Sequence, residues 1–386
     1  MKNLQCLFAI FWLLVLFLIP LDKSFSAPLP KATQELLIKF NLDPSLLADI
    51  DNELQVPKKW IEHAKKNGKL RIRSTPARPG ELRTLFGPFK ERYPFIEIEF
   101  SGTNQQTRSV RTLMAYKRGR ILADFMTSIG GFMHEYRAAD ALVDLSDVPN
   151  VQRVTAKAKD PSGLWTGINS NFWCMSYNTR LVKKEDLPRK WEDLITNPIW
   201  RGGNLALGNR PQLIFVALWA AKGEKWTKNF ITRLFTEVNP QLRKEGMSVL
   251  PQLTAAGEFL GAMPTNNKRP YQLKLDGAPI GFTCPEPVPA STEDAVILKG
   301  GNVPTAKVFL NWLLSKEGQI AQYAFEYATP LNDELRGHLL PFRDQILGRE
   351  ESFRNREFEM KIMPDLSKFW SELWLSGGGT PRRRRR

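Results

Sequence analysis

An α/β protein of two domains is what the sequence predicts, and three observations carry the expectation. From residue 69 to residue 141, short strand-like runs alternate with stretches of helical period. Alternation at this spacing requires parallel strands joined by right-handed helical crossovers. A second series of the same kind begins after Val143-Asp144-Leu145. The chain has 386 residues, more than one hydrophobic core sustains, so two series imply two cores.

Residues 31–66 precede the alternation and carry helical spacing: Leu36, Leu37 and Phe40, then Leu46, Leu47 and Ile50, then Trp60, Ile61 and Ala64. Asp43-Pro44 and Val56-Pro57 interrupt it, so short helices laid against the main body are expected. Residues 69–73 read as a first strand, and residues 80–92 as a helix with Leu82, Leu85, Phe86 and Phe89 on one face. Gly87-Pro88 lies inside that helix and weakens its second half. In residues 95–100, Ile96, Ile98 and Phe100 alternate with Glu97 and Glu99, the period of a half-buried strand. A helix over 103–117, a strand over 123–127 and a helix over 131–141 complete the first series. The second series reads as a strand at 172–177, a helix opening at Trp191, a strand at 204–208 and helices at 213–221 and 225–235. Strands near 257–263 and 280–284 follow, then helix over 303–325 with Ala306, Phe309, Leu310, Leu313 and Leu314 as its buried stripe. Repeats of solenoid length are absent.

One stretch is more specific. Residues 165–203 place a strand ending in Tyr177-Asn178-Thr179, a turn reaching Asp186-Leu187-Pro188, and a helix opening at Trp191-Glu192-Asp193-Leu194 that stops near Pro198-Ile199-Trp200. This run resembles the middle of extracellular solute-binding proteins, the ligand-capturing subunits of ABC importers, in the group that includes ferric-iron, phosphonate and thiamine binders. Ala123-Asp124, Gly277-Ala278-Pro279-Ile280, Thr329-Pro330-Leu331 and the phrase Leu313 through Gln319 echo the same family in the same order. The resemblance covers about residues 60–335. It implies the type II periplasmic binding protein fold: two α/β domains, a hinge of crossing strands and an interdomain cleft that closes on ligand. Carried onto this chain, the crossings fall near 143–148, 283–289 and 328–331. Domain one is then 67–145 with 287–327, domain two 146–286 with 328–375, and residues 27–66 a helical extension.

The termini say where such a protein works. Met1-Lys2-Asn3 precedes an apolar run over residues 7–21, closed by Asp22-Lys23 and followed by Ser24, Ser26 and Ala27, the small residues of a processing site. A cleaved signal peptide over 1–26 is expected, with the cut after Ser26 or Ala27, and hence a periplasmic protein. Cys6 precedes the apolar core, unlike a lipoprotein acylation site. At the other end, Gly377-Gly378-Gly379 leads into Arg382 through Arg386, so 376–386 reads as a disordered Gly/Arg tail.

Net charge is +15, but five of those charges sit in the tail and the rest are scattered pairs such as Lys58-Lys59 and Lys183-Lys184. No basic stripe with interleaved aromatics appears, so a solvated basic surface is expected and a nucleic-acid partner is not. Once the leader is removed, Cys174 and Cys284 remain, which allows one bridge in an oxidising compartment; two separate buried thiols are the expectation. His63, His134 and His338 have no zinc spacing. Nucleophile-elbow, zincin and phosphate-loop motifs are absent, and neither an enzyme nor a cofactor is expected.

Ligands of open parallel sheets bind beyond the carboxyl ends of the strands, where helix N-termini present free N–H groups suited to oxyanions. This chain places Ser74-Thr75, Ser101-Gly102-Thr103 and Thr127-Ser128 with Gly130 at those junctions, and Asn209-Arg210 before Pro211 in the second series. Arg210 is the sharpest candidate, because a guanidinium grips a carboxylate or phosphonate through two parallel bonds. By resemblance alone, Asn171, Tyr271 and Glu286 join the ligand-binding set near the crossing strands. Iron binders of this family hold Fe(III) through a pair of adjacent tyrosines. Here residues 263–273 carry only Tyr271, with Lys268 and Arg269 beside it, and two cations oppose a trivalent metal. The expectation is therefore a monomeric receptor for a small anionic solute that serves an ABC permease. A ferric-iron carrier and a non-transport sensor or adhesin domain are the alternatives.

Overall fold

The computed structural model of the protein describes residues 28–377. The expected leader and residues 378–386 of the expected tail lie outside the described residues. Before the first strand run α1 (Lys31–Phe40) and α2 (Lys58–Lys66). Strands β1 (Lys69–Ser74), β2 (Glu97–Gly102) and β3 (Phe125–Thr127) alternate with α3 (Pro79–Arg92), α4 (Gln105–Tyr116) and α5 (Met133–Ala138). Then come β4 (Thr166–Asn178), β5 (Leu205–Gly208), α6 (Phe215–Lys222), α7 (Glu224–Arg233), β6 (Gln241–Arg243), β7 (Gly261–Asn266) and α8 (Lys268–Leu275). The chain continues through β8 (Ile280–Thr283), β9 (Val288–Ile297), α9 (Val303–Leu314), α10 (Lys316–Glu326), β10 (Glu351–Phe353) and α11 (Arg356–Ser376).

The strands join in the order β2-β1-β3-β9-β4-β7-β5-β6, with β10 on β9 and β8 on β4. β1 is parallel to β2 and β3, and β5 is parallel to β6 and β7, as crossover connections require. The two halves meet in β4. Its first part, Thr166 to Phe172, pairs with β9, and its last part, Trp173 to Asn178, pairs with β7 and β8. β9 makes the return, pairing with β10 at one end and with β3 at the other. The crossings are thus β4 and β9, downstream of the segments expected at 143–148 and 283–289. Leu145 and Val148 are buried in the first core instead. Ser170 bridges to Thr329, where the third crossing was expected.

Two large cores lie on either side of these strands. Ile72, Phe86, Phe89, Phe125, Phe309 and Trp312 centre the first, in which Phe309 meets Phe89 and Phe125 edge-on at 5.1 Å. Trp191, Trp200, Phe215, Phe230, Trp370 and Trp374 centre the second. The first core also takes Val148, Val151, Ile168 and Leu335, so its residues come from both sides of the boundaries drawn on sequence. The helices before β1 belong to it as well, through Leu36, Leu47, Ile50 and Trp60.

Local chemistry explains where elements stop. Helix α3 runs through Pro88 to Arg92, the full span expected, because Phe86 and Phe89 are held by Phe309 and Trp312 and tertiary burial outweighs one lost backbone bond. The helix expected over 303–325 is two helices. Ser315, extended at φ −69° and ψ 162°, ends α9 and caps α10 by accepting from the Gly318 N–H. The strand expected near 257–263 begins later, because Gly257 at φ +83° closes the preceding helix. Cys174 and Cys284 are not separate thiols. They sit on β4 and just beyond β8, antiparallel neighbours that bring their Cα atoms to 5.1 Å, and their sulfurs are bonded.

Candidate functional site

The carboxyl ends of β1, β2 and β3 are knitted together by a buried arginine. Arg108, on the inner face of α4 and only 1% exposed, donates to the carbonyls of Thr103 at 2.7 Å, Ser128 at 3.0 Å and Thr127 at 3.1 Å. Burial pulls its pKa below the usual arginine value, while Glu293 and Asp294 oppose that pull. Asn104 caps α4 by accepting from the Thr107 N–H, which sets Arg108 one turn into the helix. The Thr103 N–H donates to the Ser74 carbonyl at 3.1 Å, and the Ser74 and Thr127 hydroxyls are 2.7 Å apart. Three strand-end loops therefore form one rigid edge.

That edge meets the crossing strands at Glu293. The Ser128 hydroxyl donates to one carboxylate oxygen at 2.5 Å, and the Asn169 amide to the other at 3.1 Å. Asn169 and Glu293 are register partners in the β4–β9 ladder, so this contact follows from strand pairing. Ser128 adopts φ +51°, a left-handed conformation that costs a non-glycine residue strain and turns its hydroxyl onto Glu293. Asn171 donates to Asn169 at 3.3 Å, and Gln322 of α10 accepts from Asn169 at 3.4 Å. A cavity of about 40 Å³ lies here, bounded by Ser74, Thr75, Thr127, Asn169, Glu293 and Glu326 and walled by phenylalanines.

The second lobe reaches this edge through α8. Lys268 meets Glu326 of α10 at 2.9 Å. Burial works against the Lys268 ammonium, yet Glu326 and Glu293 together outweigh it and hold its pKa above the ordinary lysine value. One turn on, the Tyr271 ring packs edge-on against Tyr327 at 5.3 Å. On the other side of the crossing strands, Arg356 at the start of α11 donates to the Gly130 carbonyl at 2.9 Å and to Asp294 at 2.5 Å, and its guanidinium lies 5.2 Å from the Trp165 ring centre. Asp294 also accepts from the Ile129 N–H at 3.1 Å. Gly130 sits at φ +58°, a left-handed conformation that favours glycine.

Of the residues expected from sequence, Ser74, Thr75, Thr103, Ser128 and Asn171 come together at this edge. Ser101 stands beside them on β2, opposite Arg73 of β1. Asn209 and Arg210 end β5 in the second lobe. Asn209 accepts from the Trp370 indole at 2.8 Å and lines a separate groove of about 450 Å³ against α11. Arg210 heads the short turn Pro211–Leu213, its N–H donating to the Gly208 carbonyl at 2.8 Å. Glu286 is exposed and bridged to Lys190; it accepts from the Glu350 N–H at 3.3 Å, and none of the hydrogen bonds described joins it to the others. Sequence reasoning missed Arg108, Asn169, Glu293, Gln322 and Glu326. The pair Glu293-Asp294 before the apolar run Ala295-Val296-Ile297 was a readable signal, since charges are rarely buried without partners.

Comparison with known proteins agrees with this architecture. Residues 123–340 match the model of the bacterial extracellular solute-binding proteins, and the chain belongs to that family. An uncharacterized protein of Haemophilus influenzae is 30% identical over 182 residues, 44% of this chain; the match spans half the length of that relative. Among solved structures, iron-bound HitA of Pseudomonas aeruginosa is similar at 18% identity and TM-score 0.61, covering 79% of this chain and 99% of that one. Trichodesmium IdiA (FutA), in complex with iron and citrate, shares 18% identity at TM-score 0.66 with the same coverage. AfuA of Actinobacillus pleuropneumoniae, with exogenous fructose 6-phosphate bound, shares 19% at TM-score 0.56, covering 80% of this chain and 98% of that one. The fold is that of the two-domain, type II periplasmic binding proteins. Among the described residues, no helix is long and apolar enough to cross a membrane.

Proposed function

We propose that this protein is a periplasmic receptor that captures a small solute between its lobes and hands it to an ABC permease of the inner membrane. It acts by binding, without catalysis. The observation that carries the reading is the convergence of three elements on one polar set: the strand-end loops of the first lobe, the crossing strands at Glu293, and α8 of the second lobe at Lys268. Closure about β4 and β9 brings such groups onto a ligand from both sides, as hinged binding proteins do. The family and the solute-bound neighbours support the same reading. Export through a leader cleaved near Ala27 is part of it.

A thermal-shift panel of phosphonates, sugar phosphates, carboxylates, polyamines and thiamine tests the proposal. A solute that binds only the folded state raises stability by about 2.7 kcal/mol at a hundredfold excess over Kd. At least one class is expected to raise the melting temperature in a saturable way. A protein whose melting temperature no class moves is not a receptor for small solutes of these kinds.

A further inference from the structure

We infer, resting on the receptor reading above, that the solute carries a protonated amine and that its ammonium group seats against Glu293 in the cavity beneath the first-lobe strand ends. The charges that meet in this confined space do not balance. Two side chains bounding the cavity are ionisable, Glu293 and Glu326, and both are acids. Glu326 has its cation, the Lys268 ammonium at 2.9 Å. Glu293 accepts two neutral donors, the Ser128 hydroxyl and the Asn169 amide, and no ion pair with it occurs among the described residues. Within the cavity lining, two carboxylates face one directly bonded ammonium, while Arg108 and Lys268 act on Glu293 only at longer range. A half-buried carboxylate satisfied only by neutral donors favours a cation beside it.

The cavity is large enough to admit a head group. Its volume of about 40 Å³ is ample for one ammonium-sized group. Phe86, Phe100, Phe125, Phe309 and Phe325 form the walls, so little water competes inside. The polar rim of Ser74, Thr75, Thr127 and Asn169 offers acceptor oxygens to an ammonium's three donors. The neighbouring pair shows the same preference, since Lys268 reaches across from the second lobe and places a primary ammonium against Glu326. An anionic head group in this cavity would add a third negative charge beside Glu293 and Glu326, which opposes binding. Amine recognition at Glu293 would thus set the specificity of the cleft.

Calorimetric titration of the mature full-length protein decides the matter, with butylamine, butane-1,4-diamine, spermidine and glucosamine set against succinate and fructose 6-phosphate. At least one amine is expected to bind, and Glu293→Gln, which keeps the shape and the contacts to Ser128 and Asn169, is expected to weaken it at least tenfold. Ser128→Ala, which keeps the carboxylate, is expected to weaken it much less. Melting curves of both variants confirm that they are folded. Equal amine affinity in wild type and Glu293→Gln overturns the inference, as does the absence of binding by any of the amines. Binding of succinate or fructose 6-phosphate without amine binding overturns the amine while leaving the receptor reading standing.

Discussion

Replacing Arg108 by methionine should do more damage than any other single change at the strand-end loops. The guanidinium is 1% exposed and holds three carbonyls, those of Thr103, Thr127 and Ser128, each within 3.1 Å. Methionine fills a similar length of space and donates nothing, so all three carbonyls lose their charged donor. At about 1 kcal/mol net for each bond, with an added penalty for carbonyls left dry, the loss is about 3–5 kcal/mol. That is a large fraction of the stability of an ordinary domain, about 5–15 kcal/mol, yet it leaves the protein folded. Urea denaturation followed by circular dichroism reads the loss as a lower midpoint at unchanged slope. Arg108→Lys keeps the charge with fewer directed bonds and should recover about half of it. The same substitution should weaken the solute found in the panel, because Ser74 and Ser128 are positioned through these loops. A loss below about 1 kcal/mol for Arg108→Met would refute the reasoning, since it would mean that water replaces the guanidinium without cost.

Three further outcomes are expected. Arg356→Ala and Asp294→Asn should each destabilise the protein, and a double-mutant cycle between them should return a coupling of about 1–3 kcal/mol, whereas strict additivity would show that the contact between α11 and the crossing strand contributes nothing. The Cys174–Cys284 bridge closes a loop with a sequence separation of 110, so adding reductant or making the double serine variant should lower stability by about 2–4 kcal/mol; denaturation midpoints that are identical with and without reductant would count against a formed bridge. Titration with ferric citrate should give no tyrosinate-to-iron band, because Tyr271 is the one tyrosine in the segment where iron binders carry a pair and it packs against Tyr327 and Phe342. A visible band that disappears in Tyr271→Phe would contradict this.

The fold was legible wherever a local signal had one interpretation. Period-two runs marked β1 and β2, and the run from Ala123 marked β3, because half-buried strands must alternate or carry short apolar cores. The crossings were harder. β4 is buried on nearly every residue, so its reach of thirteen residues from one lobe to the other shows no alternation to follow. The break at Ser315 was missed because the apolar stripe continues across it, and only the cap reveals two helices. At the site, hydroxyls such as Ser74 and Ser128 announce themselves as residues after strands. Glu293 shows only as a charge inside a buried strand and Arg108 not at all, since their partners stand on other elements, 165 and about 20 positions away, and only the folded register brings them together. The Cys174–Cys284 bridge was unreadable for the same reason: two cysteines state that a bond is allowed, and strand pairing decides it.

The central claim is that a solute draws two lobes together about β4 and β9. Small-angle X-ray scattering of the mature protein, free and saturated with the best-binding solute of the panel, tests it most directly. The account predicts a smaller radius of gyration in the bound state, which returns to the free value when the solute is removed. A bound protein whose scattering curve superimposes on that of the free protein at saturation would contradict it.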